Sequence, residues 1–127
     1  MLFKAGKYYI GDPCYCFSHN KNSWEDLLKE TEFFEACEGE YKGKPLYAGS
    51  TSYGDGTYYD KKGNSYGVDS GTLGILDVSL IDREGFDFDN HSYYRIIEFK
   101  EDFIVDIDYG KFRFGDIYID TRCEDDD

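Results

Sequence analysis

No apolar run in this 127-residue sequence approaches the ~20 residues of a membrane span, so a transmembrane helix is not expected. The first residues, MLFKAGKYYIGD, lack the apolar core of a secretory signal. The expectation is a cytoplasmic protein with reduced thiols at Cys14, Cys16, Cys37 and Cys123. Histidine is scarce: with two in the chain, a nucleophile–base pair would have to join Cys14 or Cys16 to His19 or His91. Asp69-Ser70-Gly71 carries no nucleophile elbow, and no Walker loop is present. Gly54-Asp55-Gly56 lacks the helix that follows a dinucleotide fingerprint. These absences lean against an enzyme and leave the question open.

Metal signals are incomplete as well. Cys14-x-Cys16, with His19 and Cys37, has zinc-type ligands, but the pair is closer in sequence than zinc pairs usually are. Small buried thiols are the better account. Asp87-Phe88-Asp89-Asn90 and Asp106-Ile107-Asp108 do not continue into a calcium loop with its distal Glu. No metal and no cofactor is expected. Basic residues are few: 14 Lys and Arg stand against 27 Asp and Glu, a formal net charge of −13. Such a surface is repelled by nucleic acid and by anionic membranes and attracted to basic protein surfaces.

What is abundant is aromatic side chain, 19% of the sequence, enough to build a core and to argue against disorder. The length fits one domain. Period-2 patterns mark residues 7–10 as a first strand, turned by Gly11-Asp12-Pro13, with residues 14–17 extended again. Ser23 opens a helix over about 23–37, with Trp24, Leu27, Leu28, Thr31 and Phe34 on one face. Strands follow at 46–53, 57–59, 65–68, 72–78 and 93–99. An antiparallel pair is expected from 103–109 with 112–120, and Asp60-Lys61-Lys62-Gly63-Asn64 reads as a hairpin loop. The resulting fold class is α+β, mostly antiparallel sheet with one main helix. It is a single compact domain over 1–122, followed by an acidic tail, 123–127, expected to be disordered.

The stretch 47–74, YAGSTSYGDGTYYDKKGNSYGVDSGTLG, holds seven of the 14 glycines and five of the 13 tyrosines. Glycine at this density serves tight turns or close backbone approach to a ligand, and tyrosine offers a flat face with a polar tip. Tyr53, Tyr58, Tyr59 and Tyr66 suit a planar ring, Lys61 and Lys62 a phosphate, and Asp55, Asp69 and Ser70 hydrogen bonds to hydroxyls or amines. The competing site is acidic. Asp102, Asp106, Asp108, Asp116 and Asp120 lie in a segment, 75–127, that holds 16 of the 27 acids, and could present carboxylates as DNA presents phosphates. Asp102, Asp106 and Asp108 are expected on one solvated strand face.

The motifs YYIGDPCY (8–15), Trp24 on the helix, YGDGTY (53–58) and YGVDSGTLGI (66–75) resemble those of a group of small bacterial and phage-encoded proteins. The resemblance covers about the first 75 residues and carries no catalytic role. It implies an accessory protein of phage or prophage type, working in the host cytoplasm to counter defence. The expected function is a non-catalytic protein that sequesters a small polar ligand, foremost a nucleotide immune signal. One alternative is an acidic nucleic-acid mimic that inhibits a basic host protein of anti-CRISPR or anti-restriction type. A small nucleotide hydrolase is the other. Direct nucleic-acid and membrane partners are not expected, and homo-oligomerisation is left open.

Overall fold

Apolar side chains at both parities of one short stretch, Leu73, Ile75 and Leu76, require a strand covered on both faces. The computed structural model, which describes residues 1–18, 23–30, 40–89, 93–108 and 110–122, places that strand at the centre of a five-stranded antiparallel sheet. In chain order the elements are β1 (Leu2–Phe3), β2 (Gly6–Gly11), α1 (Ser23–Glu30), β3 (Glu40–Tyr41) and β4 (Lys44–Ser50). The hairpin strands β5 (Gly56–Tyr59) and β6 (Ser65–Val68) follow, then β7 (Thr72–Asp77) and β8 (Arg95–Phe99). The chain closes with β9 (Phe103–Asp108), β10 (Lys111–Phe114) and β11 (Ile117–Asp120). The central sheet has the order β3-β4-β7-β2-β8, a second has β1-β9-β10-β11, and β5-β6 form a ribbon. The protein is a single compact α+β domain, mostly antiparallel strand with one helix among the described residues.

The pleat sorts the core into two. Tyr8, Ile10, Leu73 and Ile75 point from the central sheet into a cluster completed by Phe3, Val105, Phe112, Phe114, Ile117 and Ile119 of the second sheet. Tyr9, Leu46 and Leu76 point the other way, under Leu27 of α1 and Phe17. Leu27 is fully buried, while Trp24 and Leu28 are half-buried; Thr31 and Phe34 fall outside the described residues, as does the expected helical extension to 37. Pairing nearly encircles the first core. Lys61 N donates to Tyr118 O (3.1 Å), which extends β11 to the corner after β5, and Gly67 N donates to Tyr93 O (2.9 Å), which ties β6 to the approach to β8.

Buried tyrosines are tolerated because each hydroxyl reaches an acceptor at the rim. Tyr8 donates to Lys4 O (2.7 Å), Tyr9 to Asp12 O (2.5 Å) and Tyr94 to Asp87 O (2.8 Å). Gly74 is required by close approach: a Cβ there would come within 2.5 Å of Ala48 Cβ and 2.6 Å of Tyr47 O. Among the described residues no helix is long and apolar enough to cross a membrane.

Several local expectations change. Residues 14–17 are not extended. Pro13–Tyr15 form a 3-10 turn, because Pro13 suits a first helical position and the Asp12 side chain caps the Cys14 N–H. The stretch 112–120 is a hairpin and not one strand. Gly115, at φ 65°, turns the chain, and burial switches from Phe112 and Phe114 to Ile117 and Ile119. The 72–78 strand stops at Asp77, which caps a second 3-10 turn, Val78–Leu80. The second sheet also gains β1, which the pattern did not announce. The tail 123–127 lies outside the described residues.

Candidate functional site

The hairpin after β5 is shaped by one carboxylate. Asp60, 6% exposed, accepts from Lys62 N (2.9 Å), Asn64 N (3.0 Å), Asn64 Nδ2 (3.1 Å) and Tyr66 OH (2.9 Å). These donors hold the Asp60 carboxyl below its ordinary range against the opposing pull of burial. Asp60 also bridges Ile119, so its neighbours Tyr59 and Lys61 stand on the outer face beside β11. That face is built by register. Asp106 pairs with Arg113 and Arg113 with Tyr118, while Asp108 pairs with Lys111 and Lys111 with Asp120. Alternation puts all six outside, over the buried Val105, Phe112 and Ile119.

Between the β5 corner and this face lies a cleft of about 550 Å³, with Arg122 in its lining. Its polar wall carries Lys61, Lys111, Arg113 and Arg122 opposite Asp106, Asp108 and Asp120, with Tyr59 and Tyr118 as its exposed aromatic rings. Lys61 Nζ lies 5.1 Å from the Tyr118 ring centroid, and the Arg113 guanidinium carbon 5.5 Å from the same point. Arg122 grips Asp120 with two bonds of 3.0 Å, and this hydrogen bonding depresses the Asp120 carboxyl.

The residues singled out from the sequence separate into four places. Tyr59 and Lys61 line the cleft with Asp106, Asp108 and Asp120, so the structure joins members of the two competing sets. Lys62 sits beyond the rim, paired with Asp116 at 3.5 Å, and Asp102 lies near Lys4 at 3.9 Å and accepts from Ala5 N at 2.8 Å. Asp102 and Asp116 flank a separate hollow of about 310 Å³ beside Phe99. The expected solvated face therefore holds for Asp106 and Asp108, both exposed, while Asp102 precedes β9. Tyr58 and Tyr66 are core residues, with hydroxyls on Gly54 O (2.9 Å) and on Asp60, so neither ring has a face open for stacking. Tyr53 is exposed, with its hydroxyl on Arg122 O (3.1 Å).

Asp55, Asp69 and Ser70 are exposed and outside the cleft lining, Asp69 and Ser70 lying in the turn between β6 and β7. There the buried carboxylate of Asp12 accepts from Cys14 N (2.9 Å), Asp69 N (2.7 Å), Ser70 N (2.6 Å) and Ser70 Oγ (2.7 Å). It staples the GDPCY turn to the VDSG turn. Beside it the Cys14 thiol is pushed well up by burial and then by the Asp12 carboxylate. The fully buried Cys16 thiol is raised mainly by burial. His19 and Cys37, the other zinc-type candidates, lie outside the described residues.

Sequence reasoning missed Asp12, Lys111, Arg113, Tyr118 and Arg122. The available signal was the alternation in KFRF and IYID, which sends Lys111, Arg113, Tyr118 and Asp120 to one face. Comparison with protein-family models, with curated proteins and with solved structures gives no match.

Proposed function

We propose that the chain is a non-catalytic binding protein whose cleft holds a small polar ligand with a planar ring and an anionic end, a nucleotide signal being the leading candidate. One observation carries this reading. On a chain of net charge −13, four of the 14 basic residues converge on one cleft with two exposed tyrosines. The lining also carries Asp60, Asp106, Asp108 and Asp120, so its formal charges balance, and an anion meets less repulsion there than the net charge of the chain implies. Tyr59 offers the planar seat, and Asp108 and Asp120 accept from ligand hydroxyls or amines. Within the lining, Asp106, Asp108 and Asp120 each face a cation across the ladder. The implied role is sequestration, of the kind an accessory protein uses to remove an immune signal.

The acidic-mimic alternative asks for carboxylates without local cations. Here Asp102, Asp116 and Asp120 are ion-paired, and Asp106 and Asp108 stand opposite Arg113 and Lys111, which favours the ligand. The test is a thermal-shift screen against nucleotides, with mass spectrometry of the ligand afterwards. A ligand at a hundred times its dissociation constant stabilises by ~2.7 kcal/mol. The expected outcome is a shift that Tyr59→Ala and Lys111→Ala abolish, with the ligand recovered intact. A cleaved ligand would make the protein an enzyme. No shift across the panel would end the cleft reading.

A further inference from the structure

The sheets of this protein stop their own pairing unevenly. The central sheet ends at β3 and β8, the second at β1 and β11. β1 and β3 are two residues each, with Lys4 after the first and Lys42, Lys44 and Pro45 after the second, the usual guards of a sheet edge. β11 is met by the ribbon through Lys61 N. β8 has no such guard. It runs five residues, Arg95–Phe99, without proline, and its register with β2 is unbroken by any bulge. Among the described residues no strand lies on its other side, and pairing there stops just short of it, where Gly67 N meets Tyr93 O. The edge is apolar on both faces: Ile97 and Phe99 are half-buried over the first core and Ile96 over the second. Glu98 stands opposite Lys7, and the Arg95 side chain turns to the Tyr66 hydroxyl, so neither charge shields the strand.

We propose that a second copy of this chain docks on β8, edge to edge and antiparallel, joining two five-stranded sheets into one. The edge carries one charge of each sign, Arg95 and Glu98, so it selects neither a basic nor an acidic strand; what it matches is its own sequence reversed. Opposed side chains in an antiparallel pair share a face, which restricts a two-fold pairing to registers centred on one residue. Centring on Arg95 or on Glu98 sets like charges against each other. Centring on Ile97 is the register that pairs all five residues. It places Ile97 on Ile97, Ile96 against Glu98 and Arg95 against Phe99. A five-residue edge buries less than the ~1,000 Å² of a tight interface, so the pair is weak, with a Kd on the order of 10–100 μM. Two bodies of net charge −13 repel, and salt should therefore strengthen the pair. The cleft lies on the second sheet and the ribbon, so the two readings fail separately.

The test is sedimentation of the full chain from about 5 μM to about 1 mM, at low and high salt, with amide hydrogen exchange at both ends of that range. The expected result is a monomer–dimer equilibrium that salt favours. Alternate amides of Arg95–Phe99, those that β2 does not bond, should gain protection as the pair forms. Ile97→Lys sets two like charges face to face and should weaken the dimer at least about tenfold. Ile96→Lys, also at a half-buried position, gains Glu98 of the second copy and should leave the dimer within about threefold of wild type. Urea melts establish that both variants fold; should Ile97→Lys fail to, the concentration dependence of wild-type edge exchange decides alone. A monomer throughout, a dimer that salt weakens, or edge amides whose exchange ignores concentration would overturn the proposal. So would a dimer that a folded Ile97→Lys variant keeps.

Discussion

Replacing Asp12 is the perturbation with the largest calculable consequence. Its carboxylate is wholly buried and accepts four hydrogen bonds from two turns far apart in sequence. Asp12→Ala leaves the buried Cys14 N–H without its acceptor and releases three donors at Asp69 and Ser70, which are exposed enough to find water. A lost hydrogen bond to a charged acceptor costs about 1.5–3 kcal/mol, and solvent recovers part of the exposed share, so the total is roughly 3–4 kcal/mol. Against the 5–15 kcal/mol typical of a domain, that is a large loss. Asp12→Asn is the sharper case. It keeps the shape, but in either amide orientation an NH₂ group faces at least one backbone N–H, so the loss should stay near 3 kcal/mol. Urea unfolding by circular dichroism, with the m-value unchanged, measures both. An Asp12→Asn variant within about 1 kcal/mol of wild type would refute the staple.

Three further outcomes are expected. Because the folded Asp60 carboxyl lies below its reference value of 3.8, it adds stability that is present above that value and lost as pH falls through the lower folded one. Urea midpoints from pH 6 to pH 2 should therefore fall less steeply in Asp60→Asn than in wild type, and equal slopes would contradict this. Gly74→Ala should cost about 1–3 kcal/mol through its clash with Ala48 and Tyr47, whereas Gly63→Ala, open to solvent but at φ 88°, should cost about 1 kcal/mol; thermal melts of both decide it. In a Cys37→Ser/Cys123→Ser variant, the remaining thiols, Cys14 and Cys16, should be silent to Ellman's reagent until the protein unfolds, and prompt reaction would mean their burial is wrong.

The parts of the fold legible in the sequence are those where one local rule decides. The ribbon of β5 and β6 follows from tyrosine-rich alternation around a loop with glycine and asparagine. The buried run 72–77 follows from its apolar residues at both parities. The β10–β11 turn escaped because FRFGDIYID alternates almost without a break, and its only mark is the change of parity across Gly115-Asp116. The turn at Pro13–Tyr15 is hidden because a proline after Gly-Asp equally suits a chain reversal and a first helical residue capped by Asp12.

The tyrosines were the hardest to place. The same side chain suits a ligand platform and a core position whose hydroxyl reaches a protein acceptor, and only the packing shows that Tyr58, on Gly54 O, and Tyr66, on the Asp60 carboxylate, belong to the second kind while Tyr59 is exposed. The cleft itself joins residues 59–61 to residues 106–122, a pairing set by the Asp60 bridge to Ile119 and invisible to any local pattern. For the same reason the row of aspartates looked uniformly acidic, since its neutralising partners, Lys111 and Arg113, lie on the next strand.

The central claim is that the cleft beside Tyr59 and Tyr118 is where this protein holds its ligand. The 13 tyrosines make that directly measurable, since ring-labelled protein gives a signal for each. The spectra would be recorded while adding the four ribonucleoside 5′-monophosphates and, separately, their 3′,5′-cyclic forms. The account predicts saturable shifts at Tyr59 and Tyr118, with the exposed ring of Tyr93, outside the lining, unmoved. A shift at Tyr93 instead, or none with either set, would contradict it.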